Sequence, residues 1–137
     1  MSTDYLPNRS WAEVDLDQIA ANVKLIRRHV RRSAEIMGVV KADSYGHGVE
    51  RVVPVLLASG VSRLAVSMLD EAIQLRTRGI EVPILILGYT DPRRAAEIIT
   101  HRLTQTVYSL DLAQALSAAA VSLGQDARIH IKVDTGM

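Results

Sequence analysis

The 137 residues carry 16 Lys and Arg against 15 Asp and Glu, a formal charge of +1, with 48% apolar and 23% charged positions. That is the balance of one ordinary globular domain, and it offers no field for binding nucleic acid or a membrane surface. The absence of cysteine excludes disulfides, thiolate metal sites and thiol nucleophiles. No metal site is read from the remaining residues, and no apolar run approaches the ~18 to 20 residues of a membrane span. Met1 to Ser10 lacks the basic start and apolar run of a signal peptide, so a cytoplasmic location is expected. Phe is also absent, and the core must be built from Val, Ile, Leu and Ala.

After this polar leader, Trp11-Ala12-Glu13-Val14 reads as a short strand. Asp15 then caps a long helix, with Gln18 at the spacing of a capping box. Leu16, Ile19, Val23, Ile26 and Val30 recur at intervals of three and four and share one helical face. The basic run Arg27 to Arg32 reads as a solvated helix end, where cations meet the negative end of the macrodipole. From Ile36 onward, short apolar runs alternate with helix-length segments. Ile36 to Lys41, Leu64 to Ser67, Ile84 to Leu87, Thr104 to Tyr108 and Ile129 to Val133 are the strands. The intervening helices carry the stripe Val49, Val52, Val53, Leu56 and Leu57; a segment from about Asp70 to Arg78 with Ser67 and Asp70 spaced for a cap; a helix opened by Asp91-Pro92; and one capped by Ser109 and closed by Gly124.

Five strands separated by helices imply parallel pairing with right-handed crossovers, hence an α/β fold. The strand interval suits a closed eight-stranded barrel or an open doubly wound sheet, and periodicity alone does not choose between them. The lack of a glycine-rich dinucleotide loop after the first strand disfavours the open alternative. Five units cannot close an eight-stranded barrel, so a barrel would be present here only in part.

Lys41 ends a buried run, at the carboxyl edge where parallel α/β folds place their chemistry. An unpaired ammonium is costly to bury, whereas a partly desolvated lysine becomes a nucleophile toward aldehydes. The loop that follows supplies Ser44 and Tyr45 as hydroxyl donors, and Gly46 and Gly48 allow close backbone approach. Taken singly, a strand-end lysine is more often a solvated charge, and Gly-His-Gly is more often just a turn.

The whole string Val39-Val40-Lys41-Ala42-Asp43-Ser44-Tyr45-Gly46-His47-Gly48 resembles the cofactor-attachment motif of alanine racemases. Trp11 to Leu16 is similar to that family's opening strand and helix start. Lys132-Val133-Asp134-Thr135-Gly136-Met137 resembles a second family signature at the matching distance. This resemblance implies a fold-type III pyridoxal 5'-phosphate enzyme: residues 1–137 would form the N-terminal part of an incomplete (β/α)8 TIM-type barrel, with about five parallel βα units preceded by a short strand and a long helix. A C-terminal β domain and a homodimer with a shared active site would complete it. On that basis Lys41 would hold the cofactor covalently and act as the catalytic base on the D-alanine side, and Tyr45 would bind the cofactor phosphate. Lys132 would match a lysine often carbamylated in the family.

The expected reaction is the interconversion of L- and D-alanine, which supplies D-alanine for the cell wall. The family's opposing tyrosine base comes from a second subunit, and none of Tyr5, Tyr45, Tyr89 or Tyr108 matches it by position. Residues 1–137 are therefore expected to be one segment of a longer enzyme, inactive and poorly folded alone. Two alternatives stay open: a related fold-type III amino-acid or serine racemase, since the motif reports cofactor more directly than substrate, and a non-catalytic cofactor-binding or interaction fragment.

Overall fold

The computed structural model describes residues 11–136; the leader Met1 to Ser10, with Tyr5, and the final Met137 lie outside the described residues. Helix α1 (Leu16–His29) is followed by β1 (Met37–Val39), a short helical segment α2 (Lys41–Gly46) and α3 (Val49–Ala58). Then come β2 (Arg63–Val66), α4 (Leu69–Thr77), β3 (Ile84–Ile86), a 3-10 turn (Pro92–Arg94), α5 (Ala95–Thr100), β4 (Thr104–Val107), α6 (Leu110–Leu123) and β5 (Arg128–Ile131). The five strands form one parallel sheet in the order β1-β2-β3-β4-β5. Sequential order with a helix in each crossover is the winding of a barrel wall, as expected; a doubly wound sheet reverses direction part-way.

Strand parity separates two faces. Leu64, Val66, Ile84, Ile86, Leu103 and Val107 are buried among Leu69, Ala72 and Leu75 of α4, Ile98 and Ile99 of α5, and Leu112 and Leu116 of α6. Branched aliphatics fill this layer between sheet and helices. Gln105 shares that face and is fully buried, with its polar atoms matched: Oε1 accepts from Thr90 Oγ1 at 2.8 Å, and Nε2 donates to the carbonyls of Gly88 at 2.9 Å and Thr106 at 2.8 Å. The other face carries Val39, Ala65, Leu85, Thr104 and Thr106 by register, with Lys41 and Tyr108 just past the ends of β1 and β4. Val39, Leu87 and Tyr108 are substantially exposed there. This is the concave side that a barrel interior occupies.

Three local expectations are corrected. Trp11 to Val14 forms no strand: Trp11 is exposed and β1 has no second neighbour among the described residues, so an extended segment there has no ladder to satisfy its backbone. Helix α4 starts at Leu69, and its reciprocal acid is Glu71, whose Oε2 accepts from Met68 N at 2.9 Å and Ser67 N at 2.8 Å, instead of the spacing Ser67 to Asp70. At the start of α1, Asp15 caps as read, its Oδ1 accepting from Gln18 N at 2.9 Å, but the capping box is not completed: Gln18 Nε2 donates to Asn22 Oδ1 at 2.9 Å.

Candidate active site at the carboxyl edge of the sheet

Val40, at the end of β1, still bonds to β2 through its N–H to Ala65 O at 2.8 Å. Beyond it the backbone changes hand. Ala42, Asp43, Ser44 and Tyr45 have φ between 50° and 56° with ψ between 37° and 54°, a full turn of left-handed helix without a glycine in it. For L-residues that conformation costs roughly 1–2 kcal/mol each, or about 4–8 kcal/mol over the four. The segment expected as an irregular loop is therefore regular and strained, and such strain persists only where surroundings impose it.

The surroundings are identifiable. Glu71 Oε1 accepts from Ala42 N at 2.6 Å, joining the first peptide of the turn to the start of α4. At the far end, Asp43 Oδ1 accepts from Val49 N at 2.7 Å and so caps α3, while its carbonyl accepts from Gly48 N at 3.0 Å. His47 Nδ1 lies 2.8 Å from Ser44 O and 3.1 Å from Tyr45 O, the placement of a ring N–H donating into the turn. Gly46 and Gly48 continue at φ 78° and 85°, where a side chain would add further strain. A cavity of about 20 Å³ between Asp43, Glu71 and Gln74 has room for one water.

This turn brings Lys41 and Tyr45 together, with Lys41 Nζ 5.8 Å from the centre of the Tyr45 ring. Lys41 is half-buried and Tyr45 is exposed. Ser44 is buried, and its hydroxyl meets no partner among the described residues. Lys132 lies elsewhere: it follows β5, donates its N–H to Val107 O at 2.9 Å and is exposed. It follows the fifth strand and Lys41 the first, so four strand spacings separate them, ~19 Å along the sheet. Glu71 and Asp43 did not emerge from the sequence as holders of the turn. A carboxylate at the third position of α4 signals a helix cap, and nothing local signals its second bond to residue 42.

An amine at a strand's carboxyl end, a phenol beside it and a concave apolar wall suit a phosphorylated aldehyde. Residues 14–137 match the family described as alanine racemase, N-terminal domain. The chain belongs to the alanine racemase family. It is 54% identical over 127 residues to alanine racemase 1 of Clostridium acetobutylicum and 49% identical over 128 residues to that of Desulfosudis oleivorans, in each case covering 93% of this chain and 33% of the relative. The solved alanine racemase of Clostridium difficile superposes with a TM-score of 0.89 at 41% identity, over 97% of this chain and 35% of that one. A histidine racemase from Leuconostoc mesenteroides superposes with a TM-score of 0.82 at 30% identity, over 89% and 32%. The chain thus spans about a third of the length of the alanine racemases it matches.

Proposed function

We propose that the protein carrying this chain interconverts L- and D-alanine with pyridoxal 5'-phosphate, and that residues 1–137 form the N-terminal part of its cofactor-binding barrel domain. The observation that carries this reading is the left-handed turn at the end of β1, which seats Tyr45 beside Lys41 in a chain of the alanine racemase family. The donor set fits the cofactor: Lys41 supplies the amine for its aldehyde, and the Tyr45 hydroxyl supplies a hydrogen bond to its phosphate.

Bound pyridoxal phosphate supplies an electron sink that lets the α-hydrogen of an amino acid leave as a proton. Lys41 Nζ would take that proton from, or deliver one to, one face of the substrate. A base on the opposite face completes inversion; in this reading it comes from a second subunit, in a homodimer located in the cytoplasm. Lys132, just past β5, is assigned as the lysine that takes up carbon dioxide to become an anion. Alanine is favoured as substrate by the names of the most similar relatives. The histidine racemase sharing this fold favours a second reading in which another amino acid is used.

Borohydride reduction of the full-length protein loaded with the cofactor, followed by peptide mapping, should place the label on Lys41. Lys41→Ala should abolish both label and racemisation. A label on another residue, or activity retained in the variant, overturns the assignment. Parallel assays with alanine, serine, lysine and histidine test the substrate, and preference for any but alanine replaces that part.

A further inference from the structure

The geometry points to Glu71 as a positioning residue for Lys41: its carboxylate holds the Lys41–Ala42 peptide in place and thereby sets the reach of the lysine side chain. This rests on the reading of Lys41 as the cofactor lysine.

The carboxylate spans two elements. Oε2 is fixed by the N–H groups of Ser67 and Met68, and Oε1 takes the N–H of Ala42, 29 residues earlier in the chain. The Ala42 N–H has no backbone acceptor, so Glu71 is its partner among the described residues. The platform beneath Glu71 is rigid: Leu69, Ala72 and Leu75 of α4 are buried, and Asp70 is tied to Arg94 at 2.7 Å. The carboxylate also sits in the first turn of α4, where the macrodipole favours negative charge. Ala42 is the first residue of the left-handed turn and gains no support from its own preference. Without the Glu71 bond, the peptide following Lys41 is free to relax toward the right-handed or extended region, and Lys41 Nζ moves with it.

Glu71→Gln separates the two duties of the carboxylate. A glutamine side chain has one acceptor oxygen and one NH2 group. Directed at Ser67 and Met68, the oxygen keeps the cap of α4, and the NH2 then faces the Ala42 N–H, donor against donor. In the cofactor-free full-length protein, residue-resolved amide hydrogen exchange should show Ala42 protected in the wild type. In Glu71→Gln that amide should exchange about tenfold faster or more, the factor expected for losing one charge-assisted hydrogen bond, while Ser67 and Met68 stay protected. With pyridoxal phosphate added, borohydride-trapped attachment to Lys41 should slow in the variant, and kcat should fall with KM little changed.

Equal exchange at Ala42 in the two proteins, or equal attachment rates and kcat, overturns the role of Glu71 and leaves the Lys41 assignment standing. If the wild type attaches no cofactor at Lys41, the proposed function fails, although the exchange result still reports the bond. Should Glu71→Gln not fold, wild-type exchange decides alone: an Ala42 amide exchanging as freely as an unbonded exposed one overturns the inference.

Discussion

Gly88, just past β3, is a single residue on which two strands depend. Its N–H donates to Ser67 O at 3.0 Å, its carbonyl accepts from the buried Gln105, and a Cβ built on it would lie 2.5 Å from Ser67 O. That neighbour is backbone in the strand-end turn that Glu71 also grips, so it cannot swing aside. Gly88→Ala should therefore lower stability by about 1–3 kcal/mol, the range for forced overpacking. Denaturant unfolding measures this, and an unchanged midpoint would show that the β2–α4 turn yields. The glycine was silent in the sequence, since nothing near residue 88 reports that a carbonyl from residue 67 passes within touching distance.

At the scale of elements, the strands and most helices were legible because burial there follows period. The runs at Ile36, Leu64, Ile84 and Thr104 face a covered layer, and the capping signals at Asp15 and Asp91 act within three residues. The left-handed turn was not legible, because Ala42, Ser44 and Tyr45 each prefer the opposite hand and the bond that restrains Ala42 comes from α4. The pairing around α5 sets a pH dependence. A side-chain hydrogen bond from Arg93, followed by the Arg93 backbone N–H, brings the Asp91 carboxyl from its ordinary 3.8 to about 2. Hydrogen bonds from Arg94 likewise lower Asp70 and Glu97, linking α4 to the start of α5. These carboxyls are depressed in the folded state, so their contribution is complete above the ordinary value and fades as pH falls through the folded one. The thermal midpoint should accordingly drop between about pH 4 and pH 2, and Asp91→Ala should show a shallower drop over that window; an equally steep drop would show that Asp91 adds nothing to it.

At the scale of the whole molecule, the two ends of the sheet are built differently. The amino end holds a large cavity, about 580 Å³, but its central cation is spent on structure: Arg76 donates to the carbonyls of Ile80, Val82, His101 and Arg102, binding the loops that lead into β3 and β4. The carboxyl end holds Lys41, Tyr45 and the strained turn. Larger space therefore marks the scaffold, and the proposed chemistry lies where the backbone is under load. Both outer strands lack a second neighbour among the described residues, and Ile131 and Val133 are largely exposed beside β5. A polypeptide of residues 1–137 by itself should self-associate and unfold over a broad temperature range. Sedimentation and calorimetry test this, and a monomer with one sharp transition would refute it.

The dihedral angles of Ala42 to Tyr45 are those a D-amino acid adopts at rest, because mirror-image residues favour positive φ. Ala42 is exposed, so inverting its chirality by chemical synthesis would relocate one methyl group in open surroundings. The inverted residue should make the protein more heat-resistant, whereas the same inversion in the ordinary turns of α3 or α6 should damage it. A protein proposed to make D-alanine thus contains, within its own chain, a place where D-alanine is the better fit.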